Sequence, residues 1–211
     1  MLDLKNLDCL LPKTKSLLLE IVESCEFLDK YVLVGGSALT LHLCHRKSED
    51  LDFFTFEDNF DFGEIFEYIK QFSQKEILNK TDEQIDLLLD GVKVTFFNAR
   101  WSFLKPQKKE KFNLATLEQI AAMKVNVLFL RAKYRDYYDL YFLAKEVMSL
   151  KQIFKCSENI AEGITYKLFV VGLLYIDDVE DDDITYLQPK EKISKQKIRD
   201  FFDSRVKSHK M

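Results

Sequence analysis

Residues 85–97 read IDLLLDGVKVTFF, an Asp-Gly dipeptide set between two runs of β-rich apolar residues. Asp-Gly in that setting is a strong two-residue hairpin signal. A two-residue loop also dictates the pairing. Leu89 opposes Val92, Leu88 opposes Lys93, Leu87 opposes Val94 and Asp86 opposes Thr95. The chain must therefore build a sheet, and its other segments are placed around that hairpin.

Upstream, helical and strand patterns alternate. TKSLLLEIVESCEFLD, 14–29, has apolar residues at helical spacing. YVLV, 31–34, is a short β-branched run that stops at Gly35-Gly36 and reads as a buried strand. SALTLHLC reads as a short helix with Ser37 near its N-terminus. DLDFF, 50–54, is a second strand, and 61–73 a helix with Phe62, Ile65, Phe66 and Ile69 on one face. After Pro106 and Lys108-Lys109 the pattern turns all-helical. Thr116-Leu117-Glu118-Gln119 has the capping-box form and opens a helix to about residue 131. Further helices are expected at about 135–147, 157–176 and 190–207. The expected fold class is α+β: a mixed sheet flanked by helices over 1–108, then a helical bundle over 109–211.

Composition narrows the setting. With 47% hydrophobic residues, six glycines and three prolines in 211, the chain has material for an ordered core. A net charge of −4 means that any nucleic-acid contact must come from a local basic patch. Cys9, Cys25, Cys44 and Cys156 form no CxxC pair and the histidines complete no zinc spacing, so reduced thiols are expected. MLDLKNLDCLLPK lacks the apolar core of a secretory signal. The late apolar run 168–176 is far short of the ~20 residues that a membrane span needs. A cytoplasmic protein with no membrane partner is the expectation.

VGGSALTLHLCHRKSEDLDFF, 34–54, carries the chemistry. Side chains alternate along a strand, so Asp50 and Asp52 share a face while Leu51 and Phe53 point to the core. Two adjacent carboxylates repel unless a cation intervenes, and hard divalent ions take oxygen ligands. Asp-x-Asp alone also fits a solvated strand end. The strand, Gly35-Gly36 and a helix N-terminus before it make a second feature, an anion seat with free N–H groups and no Cβ in the way. Phosphate and metal are thus served by one stretch, with Ser37 offering a hydroxyl. Further along, Lys124, Arg131 and Arg135 would share one face of a continuous helix. A solvated role is open for each of them, and Asp136 and Asp139 could simply pair with Arg135.

G-G-S followed after Glu49 by D-L-D in a strand resembles the signature of the nucleotidyltransferase superfamily related to DNA polymerase β. HRKSEDLDFF is similar to the AbiEii/AbiGii toxin family, as is LEQIAAMKVNVLFLRAKYRDYYDLYFL, 117–143. The resemblance implies transfer of a nucleoside monophosphate from a nucleoside triphosphate, in a toxin paired with an antitoxin. It implies Mg²⁺ or Mn²⁺ on Asp50 and Asp52. Gly35, Gly36 and Ser37 would meet the triphosphate, with Lys124, Arg131 and Arg135 on its charge and Asp139 as a second-motif acid. Many superfamily enzymes carry a third carboxylate on a later strand. Here that position is Thr95, and Asp86 across the hairpin is the candidate replacement, though an edge carboxylate there by chance is equally open. The acceptor would be RNA, tRNA included, or protein. KEKISKQKIRDFFDSRVKSHK, 190–210, is either an RNA-binding element or a solvated terminal helix. Two other functions fit the same residues: an inert nucleotide- or antitoxin-binding module, favoured by Thr95, and a kinase-like transfer of the γ-phosphate.

Overall fold

The computed structural model describes residues 6–56, 60–104, 112–158, 160, 163–180 and 183–207. Contacts divide the chain into two units, Met1–Ala115 and Thr116–Met211. Residue 108, Pro106 and the Lys108-Lys109 run lie outside the described residues.

Unit 1 holds β1 (Val32–Val34), β2 (Leu51–Thr55), β3 (Lys75–Lys80), β4 (Gln84–Leu89), β5 (Val92–Asn98) and β6 (Asn113–Leu114). They form one sheet in the order β3-β4-β5-β2-β1-β6. β2 runs parallel to β5 and β1 parallel to β6, while the other neighbours are antiparallel. The α+β expectation is met by this mixed sheet with helices α1 (Pro12–Ser24), α2 (Gly35–Leu43) and α3 (Phe62–Tyr68). All four hairpin pairs stand as the Asp-Gly loop requires. Asp90 and Gly91 have φ of 47° and 83°, the two left-handed residues that let such a turn follow the strand twist.

One face of the sheet is the core. Leu51, Phe53, Val94, Phe96, Ile85 and Leu87 are fully buried there, and the Phe53 and Phe96 rings stack at 5.5 Å. Each such side chain contributes about 2–3 kcal/mol of hydrophobic stabilisation. β3 escaped the sequence reading because KEILNK is exposed throughout and shows no apolar alternation. Its pairing with β4 makes it the sheet's edge.

Unit 2 is helical: α4 (Leu117–Leu130), α5 (Tyr134–Glu146), α6 (Leu150–Ser157), α7 (Tyr166–Leu174) and α8 (Lys195–Lys207). α4 opens on the expected capping box, with Gln119 N donating to Thr116 Oγ1 at 3.3 Å and Thr116 N to Gln119 Oε1 at 2.8 Å. The helix expected at 157–176 needs correction. Ser149 and Gln152 form a second capping box, so α6 starts early and ends at Ser157. Gly163 then takes φ 77° and Thr165 caps α7 by accepting from Leu168 N at 3.2 Å. The last helix starts at Lys195, not near 190.

The reading of all four cysteines as free thiols is also corrected. Cys9 and Cys44 form a disulfide with Cα atoms 5.5 Å apart, while Cys25 and Cys156 are free. The pairing arises because the turn Leu7–Cys9 packs on the end of α2, where Asn6 Nδ2 donates to Leu41 O at 3.0 Å. Among the described residues no helix is long and apolar enough to cross a membrane.

Candidate active site

β1 ends directly in α2 with Gly35 at φ 72°, a conformation that favours glycine. The neighbouring register sets Asp52 beside Val34. A Cβ built on Gly35 would lie 2.6 Å from Asp52 Oδ2, so the missing side chain lets the carboxylate sit against the helix start. A Cβ on Gly36 would lie 2.7 Å from Arg46 Nη2 and 3.3 Å from Ser48 Oγ. Arg46, buried at 5% exposure, thus brings a guanidinium to the anion seat. Sequence reasoning missed it. The available signal was a cation in the short return between the seat and the acid pair. We expect Gly35→Ala to destabilise unit 1 by about 1–3 kcal/mol through backbone strain alone. The clash should also displace Asp52, and urea unfolding with a parallel activity assay would show both losses.

Asp50 is placed by its backbone. The buried Ser37 hydroxyl donates to the Asp50 carbonyl and lies 3.0 Å from Ser48 Oγ. Thr14 Oγ1 donates to Glu49 O at 2.8 Å, and Leu11 N to Ser48 O at 3.0 Å. In β2, Leu51, Phe53 and Thr55 are buried and Asp52 and Phe54 half-buried, which confirms the expected alternation. Ser37 therefore has a bracing role within the protein itself.

Asp52, Thr95 and Asp86 stand side by side on β2, β5 and β4. Thr95 Oγ1 donates to Asp86 Oδ1 at 2.7 Å. Gln84 Nε2 donates to both Asp86 oxygens at 3.0 Å, and Lys93 Nζ lies 3.7 Å away. Thr95 separates the two carboxylates by one strand. Among the described residues no three His, Cys, Asp or Glu side chains converge as a metal site. The Asp52 carboxylate beside Gly35, with Asp50 two residues before it, is a donor set of hard oxygens compatible with a divalent ion that completes its shell with other ligands.

In unit 2, the expected single basic face is corrected. α4 ends at Leu130, Arg131 caps it, and Ala132 takes φ 44°, so Arg135 belongs to α5. Lys124 is buried, with Nζ 2.5 Å from Asp139 Oδ2 and 3.1 Å from Asp136 Oδ1. Arg131 forks onto Asp136 with both bonds at 3.1 Å. Asp136 would be raised by its burial, but the Lys124 ammonium and Arg131 guanidinium outweigh that and hold it below the ordinary carboxylate value. Asp136 and Asp139 thus both bond Lys124, a partner that the sequence reading did not assign to them.

A sequence model for the family described as nucleotidyl transferase AbiEii toxin, type IV TA system, matches residues 17–103 and 102–165. A protein of Aquifex aeolicus (strain VF5), described as uncharacterized protein aq_aa25, is 32% identical over 195 residues, covering 88% of this chain and 95% of that one. The crystal structure of JHP933 from Helicobacter pylori is 21% identical with a TM-score of 0.52, over 94% of this chain and 95% of its own. Another H. pylori crystal structure, of a candidate nucleotidyltransferase, is 19% identical with a TM-score of 0.53, over 95% and 97%. At those identities the two structures show a shared fold.

Proposed function

The chain belongs to the AbiEii nucleotidyltransferase toxin family, and on that premise we propose a metal-dependent enzyme that moves a nucleoside monophosphate from a nucleoside triphosphate onto RNA or protein. The observation that carries this reading is the approach of Asp52 to the side-chain-free Gly35. It sets the carboxylate of β2 against the first residue of α2, which supports an anion seat at that helix start. Asp50 and Asp52 would hold Mg²⁺ or Mn²⁺, and such an ion supplies charge stabilisation for the phosphates.

The chain's own groups do the rest. The first N–H groups of α2, with Gly35, Gly36 and Arg46, bind and orient the triphosphate. An acceptor hydroxyl attacks the α-phosphorus; the new O–P bond forms as the bond to the leaving pyrophosphate breaks. The acceptor proton passes to Thr95 Oγ1 while the Thr95 proton moves to Asp86, so Asp86 serves as the third acid through the hydroxyl beside it. Lys124 and Asp139 hold α4 to α5 in unit 2. Arg131, bonded to Asp136 with its side chain 46% exposed, and Arg135 are the residues that the family resemblance assigns to phosphate charge. The cognate antitoxin is the expected protein partner, as the family's toxin–antitoxin description suggests.

Incubation with α- or γ-labelled NTPs, a divalent cation and total cell RNA or lysate tests this. Label from the α position on a macromolecule is expected. Label from γ alone would indicate kinase chemistry, and nucleotide binding without transfer an inert module, the reading that Thr95 in place of an acid favours. Asp86→Ala should slow transfer by roughly 10²-fold, the usual contribution of a proton acceptor. An unchanged rate would remove Asp86 from the mechanism.

A further inference from the structure

We propose that Phe54, Phe97 and Trp101 form a nucleobase-stacking ledge on the sheet face that carries Asp52; the assignment deepens the nucleotidyltransferase reading and rests on it. Phe54 lies two residues beyond Asp52 on β2, hence on the same face and about 7 Å further along. It pairs directly with Phe97 on β5, and their rings meet edge to face at 4.9 Å. Beyond β5, Arg100 takes φ 52°. The Trp101 ring lies 6.2 Å from Phe54, and Phe103 stacks on Trp101 at 5.7 Å. All four aromatic residues are only half-buried, whereas Phe53 and Phe96 on the opposite face are fully buried. The rings are therefore not simply part of the core.

Order along the sheet gives the ligand. Gly35 lies beyond the Val34–Asp52 pair and the aromatic pair Phe54–Phe97 lies on its other side. Phosphates at the seat leave the reacting phosphorus near the acids, with the base end of a nucleotide toward the rings. A π-face of any base stacks there without a hydrogen-bond code. The base belongs either to the donor NTP or to the end of an RNA acceptor, and both have the same chemistry.

Trp101 is the chain's one tryptophan, so its emission reports on the ledge directly. The full-length protein is titrated with an NTP whose α,β-bridge is a methylene, with inorganic tripolyphosphate, and with a short single-stranded RNA. Saturable quenching by the NTP analogue but not by tripolyphosphate is expected. Trp101→Ala should weaken analogue binding, read by equilibrium dialysis, by roughly 5- to 100-fold, while Trp101→Phe keeps a ring and should restore it. Quenching by RNA alone assigns the ledge to the acceptor base. Emission unmoved by both nucleotide and RNA, or moved equally by tripolyphosphate, overturns the ledge. The signal needs no turnover, so a chain that transfers label with silent Trp101 loses the ledge and keeps the transferase reading. The converse result keeps the ledge and loses the transferase.

Discussion

Asp52→Asn is expected to abolish nucleotidyl transfer, lowering the single-turnover rate by about 10³-fold or more, or roughly 4 kcal/mol of transition-state stabilisation. The substitution preserves shape. Asparagine fits the space that Gly35 opens against the Asp52 carboxylate, so the seat and the β2–β5 register should survive. What disappears is one negative oxygen donor beside the start of α2. The same change should leave stability without added metal within about 1 kcal/mol of the parent, or raise it slightly, because neighbouring carboxylates repel. A fall in activity joined to unchanged or improved stability is the signature of a site assembled for a ligand. Urea unfolding in chelator and transfer of α-label would be measured on the same preparation. A variant that keeps more than about a tenth of the parent rate, on that same energy scale, would remove Asp52 from the chemistry.

Much of unit 1 was legible because its signals are local. Asp90-Gly91 dictates a turn, the turn dictates the register, and the register alone puts Asp86 next to Thr95. The alternation of β2 likewise sets Asp52 and Phe54 on the face opposite Leu51 and Phe53. Arg46 was not legible, since its position depends on how the return from α2 folds against Gly36. Nor was β3, an exposed edge that forms through pairing and without an apolar pattern. In unit 2 the helix periodicity was visible, but α6 was not read as a helix, and α7 begins behind its Thr165 cap at Tyr166 and not near 157. The Lys124 partners were missed for a related reason. Spacing counted on one helix pointed toward Arg135 and Asp139, whereas the break at Ala132 folds α5 back so that its acids reach Lys124.

Lys124→Met should cost about 3–5 kcal/mol of stability at neutral pH, because it removes the buried ammonium that two buried carboxylates share. Asp136 and Asp139 are both fully buried, and the Lys124 ammonium bonds both. The pH dependence gives an independent reading. In the parent, Asp136 is raised by burial but held below the ordinary value by Lys124 and Arg131. A depressed carboxyl stabilises the fold above its unfolded pKa of about 3.9, and that stability is lost as pH falls through the lower native value. Without Lys124, burial and the facing Asp139 act against Arg131 alone. Protonation then begins at higher pH, so the acid unfolding limb, followed by circular dichroism, should move upward. Lys124→Met combined with Asp139→Leu should regain much of the lost stability, since an apolar pair can replace a buried ion pair. Transfer measured in that double variant then separates chemistry from folding. A single variant as stable as the parent, with an unmoved acid limb, would show that the ion cluster does not hold α4 to α5.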